Sequence, residues 1–157
     1  MRKSHGSRLF TAGIVLCLAS ALFVACKDDK ETTKPADDTL YGRLGGTPAI
    51  ASVIDTFLVN VLKDTVINAR FNSLPGSRVT ALRQNLIDLV CAGTGGPCAY
   101  TGKSMKDAHT GMKIKEEEFN ALVGDLIASL DRHSVPAKEK NELLGILGPM
   151  KAQIVAQ

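Results

Sequence analysis

Histidine is the residue type in this chain that most directly suggests chemistry, and the sequence contains only three of them. His109 lies in the stretch MKDAHTGMKI, residues 105–114, with runs of apolar residues on both sides. A neutral imidazole nitrogen binds metal ions well while a backbone acceptor holds the other ring nitrogen. A histidine at the end of a helix is also commonly structural. The residue types alone leave both interpretations open.

The other candidate ligands have simpler explanations. His5 belongs to the N-terminal leader, and His133 lies in the turn DRHSVP, where a helix C-terminus is the expected neighbour. Met112 follows His109 too closely to reach the opposite side of a metal that His109 holds. For Met105 and Met112, core packing is the usual role of the flexible thioether side chain.

Two cysteines enclose a glycine-rich stretch that ends the second predicted helix. Cys91 and Cys98 are separated by six residues and have no histidine between them, so they do not match a zinc site. In an exported protein a disulfide would persist and would stabilise the fold by roughly 2 to 3 kcal/mol in the chain-entropy model. A buried thiol beside an exposed one fits the sequence equally well.

Apolar residues recur every three or four positions in four stretches, 50–62, 79–90, 119–130 and 143–150, which predicts four helices. The fourth helix is expected to begin earlier, at Ser134-Val135-Pro136. We expect the first to begin at Thr47-Pro48 and the last to be interrupted at Gly148-Pro149. No stretch shows the alternation typical of strands. His109 lies between the second and third helices, in a predicted loop with one or two helical turns. The pattern indicates an all-α domain of about 118 residues, large enough for one core.

The N-terminus has the features of an export signal. Residues 1–25 contain the basic Arg2, Lys3 and Arg8, then a mainly apolar run, and end in FVA directly before Cys26. This stretch resembles a bacterial lipoprotein signal, which implies that Cys26 is lipidated and attaches the mature chain to a membrane of the cell envelope. A plain secretory signal is the alternative. Residues 26–38 are charged and contain no large apolar side chain, which predicts a flexible linker.

The charge of the chain does not indicate a nucleic-acid partner. The leader holds three of the 19 basic residues and none of the 16 acidic ones. The remainder therefore carries 16 side chains of each sign, without the basic excess that binding to nucleic acid requires.

Several stretches together resemble a group I truncated haemoglobin over about 118 residues, in order and with few gaps. They are LYGRLGG at 40–46, AIASVIDTFLVNVLKD at 49–64, ARF at 69–71, TGGPCAYTGKSMKDAHTGMKI at 94–114, FNALVGDLIASLD at 119–131 and VPAKEKNELLGILGPM at 135–150. The resemblance implies that residues 39–157 form a truncated globin domain. Its fold would be a two-over-two helical sandwich around haem b.

The resemblance also implies roles for individual residues. His109 corresponds to the proximal ligand of the haem iron, and Phe71 to the phenylalanine that packs against the haem ring. Where the best-known members place a tyrosine and a glutamine that hydrogen-bond to oxygen, this chain has Leu58 and Leu86, with Leu82 one turn earlier.

The distal side therefore lacks a strong hydrogen-bond donor, and each lost bond weakens oxygen retention by on the order of 1.5 to 3 kcal/mol. Asn85 stands next to Leu86, but we expect it to be a surface amide. The remaining lysine, aspartate and glutamate residues are expected to lie on solvated helix faces.

The resemblance implies an exported haem protein that reversibly binds oxygen, nitric oxide or carbon monoxide. It leaves open whether the protein also has an activity like that of a nitric-oxide dioxygenase, which would need an unknown reductase. A haem-free helical lipoprotein that acts as an interaction module is the alternative. A peroxidase is not expected, because no distal histidine or arginine is placed to help cleave peroxide.

Overall fold

A computed structural model describes residues 38–157, and the predictions for residues 1–37 lie outside this part of the chain. The described residues form six α-helices: α1 Leu40–Arg43, α2 Gly46–Lys63, α3 Gly76–Gly93, α4 Met105–His109, α5 Glu116–Arg132 and α6 Ala137–Leu147. Two 3-10 helices cover Asn68–Arg70 and Gly148–Gln153. Between residues 38 and 157 there is no strand, and no helix is both long and apolar enough to cross a membrane.

The four predicted helices are confirmed as α2, α3, α5 and α6, and the helical turns expected around His109 are α4. The predicted interruption at Gly148-Pro149 is also confirmed. Helix α6 ends at Leu147 and the chain continues as a 3-10 helix, because proline lacks the N–H that would continue the α-helical pattern. The helix α1 and the 3-10 helix at Asn68–Arg70 were not predicted, since both are too short to show a period.

The predicted start of α2 at Thr47-Pro48 is wrong. The cap is Gly45, which has a φ of +96°, and the helix begins at Gly46. A side chain at Gly45 would place its Cβ 2.9 Å from the Cβ of Ala49, so glycine suits both the turn and the close approach. The hydroxyl of Thr47 is engaged elsewhere, 2.9 Å from the hydroxyl of Tyr41.

Helix α2 is the centre of the fold and packs against both α3 and α5. Its buried residues divide between two groups. The first core cluster surrounds the N-terminal half of α2 and contains Leu40, Ile50, Val53, Ile54, Ile87, Val90, Cys91, Leu130 and Leu143. The second core cluster lies at the C-terminal half and contains Phe57, Val61 and Ile67. The two clusters share partly buried neighbours, so they form a continuous apolar interior.

Cys91 and Cys98 are joined by a disulfide, which answers the question that their spacing left open. The sulfur of Cys91 is fully buried at the end of α3, and the bond closes the turn to the loop that leads to α4. Gly96 lies inside this turn. A Cβ on Gly96 would come within 2.5 Å of the Tyr41 ring and 2.7 Å of the Cys91 sulfur, so only glycine fits beneath the disulfide.

The glutamates that open α5 match the expectation for a helix N-terminus, and Glu118 accepts a hydrogen bond from the backbone N–H of Lys115 at 2.8 Å. The expectation that the charged residues lie on solvated faces is wrong for Glu139, which is only 8% exposed. Arg43 of α1 donates to Glu139 and Glu142 of α6. This contact covers the Glu139 carboxylate and ties the two helices together.

Candidate functional site

His109 is the last residue of α4, a helix short enough that its cap decides its position. The hydroxyl of Ser104 accepts a hydrogen bond from the backbone N–H of Asp107 at 3.1 Å, which starts the helix. The Nδ1 atom of His109 then lies 2.7 Å from the carbonyl oxygen of Met105, one turn earlier. A carbonyl oxygen can only accept, so Nδ1 carries the proton and donates.

This hydrogen bond leaves the other ring nitrogen, Nε2, with a free lone pair in the neutral imidazole. None of the residues from 38 to 157 forms a hydrogen bond with Nε2, and the ring is only partly buried. The geometry is that of a histidine prepared to bind a metal, with its second nitrogen held by the backbone.

A bare metal ion would need more protein ligands than His109 supplies. The described part of the chain contains no group of three or more histidine, cysteine, aspartate or glutamate side chains that could hold one. Haem needs only an axial histidine from the protein, because the porphyrin nitrogens provide the other ligands. The donor set therefore fits haem iron better than an ion held by side chains alone.

An apolar cleft lies between α2, α3 and the loop that joins them. It encloses about 250 Å³, including space open to solvent. Its seven lining residues are all apolar: Leu58, Val61, Leu62, Phe71, Leu74, Val79 and Leu82. Such walls suit a flat apolar group, because they offer no hydrogen bonds to a polar ligand and gain from the removal of apolar surface from water.

Three of the predicted haem-contacting residues, Leu58, Phe71 and Leu82, share this cleft. Leu86 is half-buried, packs against both core clusters and is not a lining residue of the cleft. His109 is not a lining residue either. Asn85 is exposed, which confirms the expectation of a surface amide.

A larger apolar space, of about 320 Å³ including volume open to solvent, lies at the first core cluster between α2, α5 and α6. It contains none of the predicted site residues and is walled by side chains such as Ile50, Val53 and Leu130. We place the candidate site at the smaller cleft, because the smaller one contains Phe71 and the two leucines.

Arg70 was missed by the sequence reasoning. Its Nε and Nη2 atoms donate to the two carboxylate oxygens of Glu118 at 2.8 and 2.9 Å, and Nη1 donates to the carbonyl oxygen of Met112 at 2.9 Å. The hydrogen bonds from Arg70 lower the pKa of Glu118, as does the N–H of Lys115. The only available signal was the stretch ARF, since the carboxylate partner is 48 residues away.

The remaining candidates are structural. His133 is exposed at the C-terminal cap of α5, as predicted, and its Nε2 lies 2.8 Å from the hydroxyl of Thr56. Met112 is 37% exposed, so the expectation that it packs in the core is wrong. Met105 is half-buried. These positions leave His109 as the histidine whose free nitrogen could serve a cofactor.

Comparisons with known proteins match most of this chain. The family model described as bacterial-like globin matches residues 39–156. The group 1 truncated hemoglobin GlbN of Mycolicibacterium paratuberculosis is 32% identical over 116 residues, which cover 74% of this chain and 83% of the relative. The GlbN of Synechocystis sp. is 30% identical over 114 residues, covering 70% of this chain and 90% of the relative.

The solved truncated hemoglobin of Tetrahymena pyriformis in its Fe(III) form superposes with a TM-score of 0.70 at 26% identity. The match covers 76% of this chain and 99% of that one. Nearly the whole of that protein is therefore reproduced by the helices described above. This likeness confirms the two-over-two helical sandwich expected from the sequence.

Proposed function

This chain belongs to the bacterial-like globin family, as a truncated globin with haem as its cofactor, and we propose that it reversibly binds a diatomic gas, with His109 as the iron ligand. The gas would be oxygen, nitric oxide or carbon monoxide. When bound, haem supplies an iron atom with one coordination position for the histidine and one for a small ligand.

The observation that carries the proposal is the hydrogen bond between Nδ1 of His109 and the carbonyl oxygen of Met105, 2.7 Å long. It selects the tautomer in which Nε2 is free, restricts rotation of the ring and increases the basicity of Nε2. Ser104 supports this arrangement because it caps the helix that presents both atoms.

The apolar cleft supports gas binding without long retention of oxygen. Leu58, Leu82 and Phe71 line the cleft with apolar surface and present no donor to a ligand. Because a bound oxygen molecule gains from a hydrogen bond in a dry pocket, its absence increases the rate of dissociation. We therefore propose that the protein exchanges or senses a gas and does not store oxygen for long periods. Sustained oxidation of nitric oxide would also need electrons from a separate reductase.

The test is the visible absorption spectrum of the purified chain mixed with haem, recorded with and without carbon monoxide. We expect one haem per chain and a Soret band that shifts when the gas is added. His109→Ala should disturb the band and the stoichiometry, whereas His133→Ala should not, since His133 is exposed and bonded to Thr56. A chain without a stoichiometric band would favour the haem-free interaction module instead.

We also propose that the protein is an envelope lipoprotein, attached to a membrane through Cys26. The support is the order of a basic segment, an apolar run and FVAC in residues 1–26. Cys17 lies in the apolar run and provides a matched control. In cells grown with labelled palmitate, the wild type and Cys17→Ser should incorporate the label, and Cys26→Ser should not. Equal labelling of both variants would exclude lipidation at Cys26.

A further inference from the structure

The segment from Thr110 to Lys115 joins α4 to α5 and includes backbone conformations that a chain rarely adopts without support. Gly111 has a φ of +80°, and Lys113, a residue with a side chain, has a φ of +50°. Positive φ at a residue other than glycine costs energy and persists where surrounding contacts hold it. The contacts around this segment therefore determine how the chain leaves His109.

Arg70 holds the segment from outside, through one direct contact and one that passes through Glu118. Its guanidinium pairs with both oxygens of Glu118, at 2.8 and 2.9 Å, and donates to the carbonyl oxygen of Met112 at 2.9 Å. The same Glu118 accepts from the backbone N–H of Lys115 at 2.8 Å. A single ion pair thus holds the middle and the end of the segment, in a water-accessible but half-buried position.

The start of the segment is connected to this ion pair through Met112. The backbone N–H of Met112 donates to the carbonyl oxygen of His109 at 3.0 Å, and its carbonyl oxygen accepts from Arg70. Arg70 also directly precedes Phe71, a wall of the apolar cleft. It therefore links the cleft and the histidine, which come from distant parts of the sequence.

The C-terminus holds the segment from another direction. Lys113 N–H donates to the carbonyl oxygen of Gln157 at 2.8 Å, and Ala156 N–H donates to that of Ile114 at 2.9 Å. With Lys113 and Ile114 bonded to the chain end, Met112 is the residue of the segment that depends on Arg70 directly.

We propose that Arg70, paired with Glu118, is a positioning residue that holds the backbone after His109 and so sets how Nε2 meets the haem iron. The inference rests on the proposed function, because it takes His109 as the iron ligand. The geometry requires arginine, whose planar fork serves two carboxylate oxygens and a carbonyl at once, whereas lysine offers a single charged centre. The strength of the iron–histidine bond and the rate of gas binding should therefore depend on Arg70.

Arg43 provides a matched control. It also uses three guanidinium nitrogens, on Glu139, Glu142 and the carbonyl oxygen of Asp38. Its helix α1 packs against α2 and α6, away from the segment after His109. Arg70→Gln and Arg43→Gln thus remove equivalent groups of hydrogen bonds from two different regions.

The first measurement is hydrogen exchange of the backbone amides in the purified chain. Arg70→Gln should increase the exchange rate of the Met112 and Lys115 amides about tenfold or more, since opening the segment at these residues no longer breaks the charge-assisted bonds. Arg43→Gln should leave these amides unchanged. Equal exchange in the two variants would show that Arg70 does not hold the segment.

The second measurement is the iron–histidine stretching band in the resonance Raman spectrum of the ferrous haem form, together with the rate of carbon monoxide binding. Arg70→Gln should shift the band and change the rate several-fold, and Arg70→Lys should behave similarly. Glu118→Gln should have the same effect, with no further change in the double variant. Arg43→Gln should retain the wild-type band even where it lowers thermal stability.

The outcomes separate this inference from the proposed function. A wild-type chain with no iron–histidine band would refute the proposed function and this inference together. A wild-type band that neither Arg70→Gln nor Arg70→Lys moves would refute the positioning role alone, and Arg70 would then be a stabilising surface contact.

Discussion

The two halves of α2 border regions that are stabilised in different ways. At the N-terminal half, the first core cluster has nine buried residues from several helices, and one of them, Cys91, is joined to Cys98 by the disulfide. At the C-terminal half, the second core cluster has only three buried residues, and beside it lies the cleft that contains Leu58, Phe71 and Leu82. There, polar anchors such as Arg70 hold the surrounding segments.

This difference separates stability from ligand binding within one small domain. In the first core cluster, side chains from the protein bury one another, and this burial stabilises the fold without a ligand. A cleft leaves apolar surface to be covered later, so its gain comes only when a cofactor binds. Because the second core cluster has few buried residues, we expect the segments near the cleft to depend more on hydrogen bonds such as those of Arg70. We expect the cleft region to be less protected from exchange than the first core cluster.

The largest effect on the stability of the first core cluster is expected from loss of the disulfide. Reduction, or replacement of both cysteines by serine, should lower the free energy of unfolding by roughly 2 to 3 kcal/mol, because the bond restricts a short loop of the unfolded chain. Chemical denaturation monitored by circular dichroism measures this loss. The carbon monoxide spectrum should be unchanged, since the bond lies outside the cleft. A changed spectrum with unchanged stability would contradict the division between the two regions.

A hydroxyl group added to the cleft should change ligand binding and leave the first core cluster intact. Leu58→Tyr places a donor on the α2 wall of the cleft. It should slow oxygen dissociation roughly ten- to a hundredfold, the equivalent of about 1.5 to 3 kcal/mol. Stopped-flow measurement gives the rate, and Leu58→Phe is the control because it adds the ring without the hydroxyl. Equal rates in the two variants would mean that Leu58 does not face the gas.

A smaller effect is expected at Asp125, on the side of α5 that faces α2. Its Oδ2 atom is buried without a hydrogen-bond partner, and burial, with a contribution from Asp64, raises its pKa. A carboxyl with a raised folded pKa contributes stability that is present below its unfolded pKa and is lost as the pH rises through the folded value. The wild type should therefore lose stability above about pH 4 through this group.

Asp125→Asn removes this titration and should make the chain more stable than the wild type at neutral pH, by at most about 1 kcal/mol. The difference between the two should vanish in acid. Denaturation of both proteins across pH 3 to 7 provides the measurement. Glu118, with its lowered pKa, behaves oppositely, since its contribution is lost as the pH falls. A stability difference that does not vary with pH would exclude titration of Asp125.

The main helices could be predicted because their apolar residues repeat with the helical period. Ile50, Val53, Ile54 and Phe57 all proved to be buried in α2. The helix around His109 was also anticipated. The exact start of α2 was not, because it depends on Gly45 and on the bond between Tyr41 and Thr47. Short elements such as α1 carry no period from which they could be predicted.

The candidate site was partly predictable, because several of its residues lie in recognisable sequence motifs. The sequence motifs indicated His109, Phe71 and the three leucines, and the structure gathers Leu58, Leu82 and Phe71 in one cleft. Whether Nε2 of His109 was free could not be read from residue types, because that depends on the carbonyl oxygen of Met105 pointing at Nδ1.

Local chemistry was enough to identify the helical class, the breaks between helices and a family of proteins, because helical period, proline and glycine act over a few residues. Contacts between distant residues were needed for the disulfide, for the burial of Glu139 and for the ion pair between Arg70 and Glu118. The separation of two residues along the sequence does not determine whether such a contact forms. Which of them forms depends on how the helices pack, since packing alone brings those atoms within hydrogen-bonding distance.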